Sequence, residues 1–494
     1  VYSVRTVRTG SGATAVQVVR YSQRKRIVVK HIGSAHGSSE LVSLEQIARQ
    51  WIERESGQPP LFPREKTRPP SLIPIDKCRY LGFRYALLYE VIHEVFRRLH
   101  LDGLDLLLRD LALIRVVQPA SKLESLELLS ALFGQTYRRA DLYRDLPSFV
   151  ALKGPIERHL GNLARAQFNF DFTMVFYDVT TLFFESFRED EFRRSGFSKD
   201  SKPNQPQIII GLIVTREGFP ISYEIFEGSR FEGHTFLPAL QRFKETHHVD
   251  HCTVVADAAM ISLDNVTQLV ENNLSYIVGA RLANLTSEQI GAIGERLPKV
   301  EGASTRIETE RGHLICDFSL RRYKKDKREM EKQIAKAEKL LGERQAVKRM
   351  KFIKYDGPTK PTLNRELIEK AKMLLGVKGY YTNLSDVENQ TIIDQYHNLW
   401  HVEQAFRIAK SDLAIRPIYH FKKQAIEAHI IICFIALAVC KYLELKIGKS
   451  TRKIIKILKS VTDARLQNRL TDEEIILRSE PTVEVQQLLR SLSH

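Results

Sequence analysis

The chain has 494 residues, a length that suits roughly three domains rather than one core. Its 43% hydrophobic and 27% charged residues, with only 25 Gly and 18 Pro, exclude fibrous, collagen-like and wholly disordered chains. Lys and Arg number 75 against 59 Asp and Glu, a net charge of +16 that favours a polyanionic partner, nucleic acid ahead of a membrane.

The excess is uneven. No acid precedes Glu40, whereas Arg5, Arg8, Arg20, Arg24, Lys25, Arg26 and Lys30 all do. Solubility alone is the bland explanation for such a charge. Residues 2–34 alternate as strands do, around Gly10-Ser11-Gly12 and the basic turn Gln23-Arg24-Lys25, so a small β meander is expected within a basic module over 1–56. A polar, Pro-rich linker over 57–74 follows, and then a helical stretch over 75–168. There Leu88, Val91, Ile92, Val95 and Phe96 keep helical spacing with Arg97 and Arg98 on the polar side. Both N-terminal stretches are candidates for binding DNA ends, although no helix-turn-helix stands out.

From residue 169 to 281 short, intensely apolar runs take over: Phe172–Val179, Ile208–Val214, Phe219–Phe226, Cys252–Ala256 and Ser275–Val278. Helices are expected at Thr235–Thr246 and Leu263–Asn272, which together give an α/β mixed sheet flanked by helices. Residues 282–375 interrupt this pattern. Their charged helix keeps Met330, Ile334, Ala337 and Leu341 on one stripe and is preceded by Arg321, Arg322, Lys324, Lys325, Lys327 and Arg328. A solvated face is the ordinary reading of that run, and phosphate contact the second. The apolar and helical pattern resumes over 376–445, and a basic tail over 446–494 ends the chain.

Two acids are expected at the ends of the most apolar strands: Asp178 in Phe176-Tyr177-Asp178-Val179, and Asp257 after Val254-Val255-Ala256. An ionised carboxylate in such a place needs a hydrogen bond, a counter-charge or a metal. Capping of a strand end or helix is the structural alternative, and Ser262 or Thr180 could supply that locally instead. Tyr396, Glu403 and Lys410 are spaced by seven, so on a continuous helix they share one face. Arg407, four residues after Glu403, would then form an ordinary helix ion pair with it. Three converging carboxylates repel one another unless a hard cation such as Mg²⁺ or Mn²⁺ joins them. Two such ions can activate a water or a 3′-hydroxyl and stabilise the leaving oxygen of a phosphodiester.

At these residues the chain resembles the DDE transposases of bacterial insertion sequences that carry a Tyr-Arg-Glu-Lys signature, Y-x2-R-x3-E-x6-K. Tyr396, Glu403 and Lys410 match in register, while Leu399 stands at the Arg position. The resemblance extends through Phe176–Leu182, Ser198-Lys199-Asp200, Val255–Met260, Tyr276–Arg281, Phe406–Leu413 and Arg416–His420, and covers roughly residues 172–445.

The resemblance implies an RNase H-like core with Asp178, Asp257 and Glu403 as catalytic, metal-binding triad, and an insertion domain where 282–375 lies. It implies Mg²⁺, replaceable by Mn²⁺, at two ions per site, and DNA contacts by Tyr396 and Lys410. Lys199, Arg281 and Arg407 join these as DNA-binding candidates, with Arg407 or Arg281 able to replace the missing Arg. Trp400 reads as core, or else as a stacking platform for a displaced base. His401, His420 and His429 read as structural.

The implied activity is that of a DDE transposase: binding of terminal inverted repeats, metal-dependent strand cleavage, and strand transfer into target DNA by a homodimer on double-stranded DNA. A nuclease of the same fold without strand transfer, and a non-catalytic DNA-binding relic, are the alternatives. Five scattered cysteines without CxxC spacing suit a reduced cytoplasmic chain, here nucleoid-associated and bacterial, without structural zinc. No apolar signal core opens the sequence. The longest apolar stretch, Ile430–Cys440, is far short of the roughly 20 residues that span a bilayer, so no membrane partner is expected.

Overall fold

A computed structural model describes residues 2–22, 25–56, 77–170, 172–199, 202, 204–260, 262–342, 350–354, 361–469 and 472–493. The expected linker over 57–74, the tip of the basic turn at 23–24 and Asp200 lie outside the described residues. The chain divides into two compact units. The first comprises 1–89, 131–134 and 456–489, and the second comprises 90–130, 135–455 and 490–494.

In the first unit, strands β1 (Tyr2–Arg8), β2 (Thr14–Ser22) and β3 (Lys25–Ala35) form an antiparallel sheet. Helix α1 (Ser38–Ser56) covers one face, closing a core of Val16, Val18, Ile32, Ala35, Leu44 and Ala48 with Trp51 packed against it. The hairpin between β1 and β2 needs Gly12, whose φ of 81° suits a residue without Cβ. Strand β4 (Cys78–Arg84) lies inside the stretch expected to be helical. It alternates poorly and is mostly exposed, and its partner comes from the far end of the sequence, so no local signal marks it.

Helices α2 (Ala86–Arg98), α3 (Leu106–Val117), α4 (Lys122–Phe133), α5 (Arg139–Asp145) and α6 (Lys153–Phe168) follow. The second unit is built on a sheet that begins with β5 (Met174–Phe183), β6 (Gln207–Val214) and β7 (Pro220–Glu227), each antiparallel to the last. Helix α7 (Phe236–His247), β8 (Cys252–Ala256), α8 (Leu263–Glu271) and β9 (Leu274–Gly279) come next, with β5, β8 and β9 parallel. Strands β6, β8 and β9 are buried along their whole length, which explains their unbroken apolar runs. Ser262 caps α8 through the amide of Asn265.

The interruption over 282–375 contains α9 (Ser287–Arg296), β10 (Ser304–Thr309), β11 (Gly312–Phe318), α10 (Leu320–Gly342), β12 (Ile353–Lys354), β13 (Thr362–Leu363) and α11 (Arg365–Met373). Part of it forms a small core of Met330, Ala337, Phe352, Ile353, Ile368 and Leu375. The hairpin β10–β11 instead joins the main sheet through β14 (Val377–Thr382), giving eight strands in the order β10-β11-β14-β9-β8-β5-β6-β7. The interruption is therefore partly a continuation of the sheet, which alternation of apolar residues does not reveal.

Beyond β14 come α12 (Asn389–His397) and α13 (Trp400–Arg407), a π-helical turn over Ile408–Asp412, and the long α14 (Lys423–Ile447), buried along Ile430–Leu443. The stretch expected to be a basic tail is folded: α15 (Thr451–Leu458), β15 (Asp463–Asn468), β16 (Glu474–Arg478) and α16 (Val483–Ser493). Ile454, Ile455 and Leu458 are buried beneath the basic residues that hid their spacing. In the first unit β15 lies between β4 and β16.

Candidate active site

The parallel register of β5 with β8 ends at Tyr177 opposite Ala256. The next residues on the two strands are Asp178 and Asp257. Asp178 thus lies in the middle of β5 rather than at a strand end, still paired with Leu212 of β6, whereas Asp257 is the first residue past β8. The sheet splits at this point, and two carboxylates flank the split.

Asp178 is largely buried, with 15% of its side chain exposed. Burial pushes its carboxyl up to about 6, and the charges of Asp257 and Glu403 push the same way, against the opposing pull of Lys199. Lys199 Nζ stands 3.8 Å from Asp178 Oδ1 and 3.3 Å from Glu232 Oε1, and donates to the Val179 carbonyl at 2.7 Å. Its backbone amide donates to Thr181 Oγ1 at 3.1 Å. Lys199 is therefore tied into the carboxylate cluster as its internal counter-charge. Glu232 gave no signal in the sequence because it belongs to a 3₁₀ turn before α7.

Tyr396, Glu403 and Lys410 do not share one helix. Asn398 and Leu399 break it: the Leu399 amide bonds to Tyr396 O, and the Val402 amide to Leu399 O, as three-residue turns. Lys410 then falls in the π-helical turn. The heptad argument assumed a uniform α-helix, and the break invalidates it. Tyr396 is buried, Glu403 and Arg407 are exposed, and Lys410 is half-buried. Among the described residues Glu403 and Arg407 form no ion pair, although their spacing suits one.

Tyr396 Oη donates to Asp257 Oδ1 at 3.4 Å. Burial raises the phenol well above its ordinary value, with Asp257 and Glu403 acting in the same direction, so it stays protonated as a donor. Its ring packs 4.8 Å from that of Tyr380. Lys378 Nζ lies 4.5 Å above the Tyr396 ring centroid. Burial and Arg322 lower the Lys378 ammonium, while Asp317, Asp257 and Glu403 hold it up. Lys378 is thus a cation that shares the electrostatic field of two candidate acids, and nothing in its local sequence marked it.

Leu399, at the signature Arg position, is buried. Trp400 is 51% exposed and stacks on His401 at 3.8 Å, which overturns its reading as core. Arg281 lies beside a cleft of about 420 Å³ that is also lined by Phe231, Ala258, Asn284 and Arg311. His429 is buried: its Nδ1 lies 3.3 Å from Lys122 Nζ, and its Nε2 lies 2.9 Å from the Ile415 carbonyl. His420 Nε2 meets the same ammonium at 2.5 Å. With Arg115 reaching Leu413 O, this network ties the segment after Lys410 to α3 and α4.

The donor set of Asp178, Asp257 and Glu403 is all hard oxygen, and the mutual repulsion felt at Asp178 is what a divalent cation relieves. Among the described residues no group of three or more His, Cys, Asp or Glu is arranged to hold an ion. The three residues fit such an ion in the chemistry of their donors.

The family described as Transposase DDE domain matches residues 174–439, more than half of the chain. The chain belongs to that family, whose members generally use divalent metal ions. It is a DDE transposase by family, and a nucleotidyl-transferase type of enzyme by the class that family defines. Among solved structures it is similar to a piggyBac transposase synaptic complex with hairpin DNA, at 11% identity and a TM-score of 0.35 over 83% of this chain and 75% of that one. No curated protein matches the chain in sequence. No helix among the described residues is long and apolar enough to cross a membrane.

Proposed function

We propose that this chain binds the terminal inverted repeats of a bacterial insertion sequence, cleaves the strand ends and joins the freed 3′-hydroxyls to target DNA, acting as a homodimer. The observation that carries this reading is the pair Asp178 and Asp257 at the split between β5 and β8, with Glu403 in the same electrostatic field. The strand run β7-β6-β5-β8-β9, antiparallel over its first three strands and parallel over its last three, supports an RNase H-like core.

Asp178, Asp257 and Glu403 are the residues that would hold Mg²⁺, or Mn²⁺ in its place, at two ions per site. When bound, such ions polarise the phosphoryl oxygen and supply a nucleophile at neutral pH. The remaining steps belong to the chain. Tyr396 orients Asp257 through its hydroxyl and keeps its own proton. Lys199 balances the charge of Asp178 and fixes the strand edge at Val179. Lys410, Arg407 and Arg281 meet phosphates of the bound strands, and exposed Trp400 offers a face on which a displaced base can stack.

The test is cleavage and joining of labelled duplexes carrying the DNA that flanks this gene, with Mg²⁺ or Mn²⁺. Wild type is compared with Asp178→Asn and Glu403→Gln. Cutting and joining by wild type, with both variants still binding but inactive, is the expected result. Cutting without joining would instead make the chain a nuclease, and binding without cutting a DNA-binding relic.

A further inference from the structure

The N-terminal sheet has two faces of different composition. Tyr2, Val4, Val16 and Val18 turn toward α1 and close the small core. On the opposite face the register sets Arg5 against Gln17, and Gln17 against His31, so one polar side chain from each strand forms a row across the sheet. Ser3, Val19 and Val28 flank that row on one side, and Val7, Ala15 and Ser34 on the other. Ala15 and Val19 on this face are buried, while Arg5 and Gln17 are half-buried and His31 is exposed.

Among the described residues the Arg5, Gln17 and His31 side chains have no hydrogen bond or ion pair. Further along the same face Arg26 donates to Tyr21 Oη at 2.8 Å. No Asp or Glu occurs anywhere in residues 2–39. Apart from the Tyr21 hydroxyl that takes Arg26, the face offers donors and positive charge with no carboxylate from residues 2–39 to neutralise them.

The dimensions and the residue types select the partner. Neighbouring strands lie about 4.8 Å apart, so a three-strand row spans about 10 Å, against about 12 Å for the major groove of B-DNA. Strands enter that groove in several DNA-binding folds. Arg pairs in bidentate fashion with guanine and Gln with adenine. We infer that this face docks in the major groove of duplex DNA, with Arg5, Gln17 and His31 reading base edges. The inference rests on the proposed action at DNA ends and names the surface that selects them.

The test is selection of bound duplexes by the full-length chain from a library of randomised 40-bp DNA in EDTA, repeated with Arg5→Ala, Arg5→Lys and Gln17→Ala. The wild type is expected to select a sequence containing guanine and adenine close together. Arg5→Ala is expected to relax one guanine and Gln17→Ala one adenine, each lowering the ratio of selected to scrambled binding about 10-fold or more. Arg5→Lys keeps the charge and is expected to lose part of the guanine preference, which guards against a folding defect in Arg5→Ala.

An unchanged selected sequence in folded Arg5→Ala and Gln17→Ala overturns the inference. So does equal competition by duplex RNA, whose deep, narrow major groove does not admit side chains. The inference and the proposed chemistry fail separately. Ends bound through this face but never cut leave the inference standing and remove the strand-transfer chemistry. Ends cut and joined normally by both alanine variants do the reverse.

Discussion

Gly279 and Tyr396 are fitted to one another: a Cβ on Gly279 would lie 2.5 Å from Tyr396 Oη and 3.2 Å from the Ala258 amide nitrogen. The end of β9 thereby leaves the room in which the phenol reaches Asp257 at 3.4 Å. Gly279→Ala is expected to displace the Tyr396 ring at a cost of about 1–3 kcal/mol by overpacking. Urea unfolding would measure that cost. Cleavage should fall with it, whereas Tyr396→Phe, which keeps the ring, should lose activity with little change in stability.

Asp178 gives a pH signature with a definite sign. Its carboxyl is held up at about 6, above its ordinary value near 4, so between those values the folded chain binds more protons than the unfolded one. Its contribution to stability therefore declines as pH rises from about 4 to above 6. The full loss is at most about 3 kcal/mol. Asp178→Asn should melt at a higher temperature than wild type at pH 7.5 and at a similar one near pH 4. Millimolar Mg²⁺ should narrow the gap at pH 7.5 by raising wild type alone. Melting curves at the two pH values, with and without the ion, would check both signs.

Lys378 is expected to matter for turnover more than for binding. Its ammonium shares the field of Asp257 and Glu403 and lies against Tyr396. Lys378→Met should slow cleavage by about 10-fold or more, as losing one preorganised charge at a reacting phosphate does. Affinity for the same duplex, measured by anisotropy in EDTA, should stay nearly unchanged. An equal loss in both quantities would make Lys378 an ordinary phosphate contact.

Leu399 cannot simply be restored to the arginine of the Tyr-Arg-Glu-Lys signature. Its side chain is buried at the break between α12 and α13. Leu399→Arg should destabilise the fold by about 3–5 kcal/mol, the range for leaving a buried charge uncompensated. Thermal melting would show the loss, and cleavage should not improve.

Much of the sheet was legible in the sequence, because strands buried on both faces read as unbroken apolar runs. Cys252–Ala256 emerged with the expected bounds, and the helices at Phe236–His247 and Leu263–Glu271 within about a residue. Asp178 and Asp257 stood out for the same reason, as charges beside hydrocarbon. Long-range pairing was what failed to show. Strand β4 meets β15 across most of the chain, and β10–β11 join the sheet through β14, so neither carries a local pattern. The break at Asn398-Leu399 was invisible because spacing by seven looks the same whether or not the helix continues. Lys378 and Glu232 lay outside every motif and were brought to the site by the fold.

The placement of β14 also sets a clock. It pairs with β9 on one side and β11 on the other, and it leads directly into the helices that carry Tyr396 and Glu403. At about 5–20 residues per second, a ribosome takes roughly 7–30 s to travel from Asp257 to Glu403. For that interval two of the three proposed acids have been made and the third has not. The last of the three proposed acids is thus among the later parts of the site to be made.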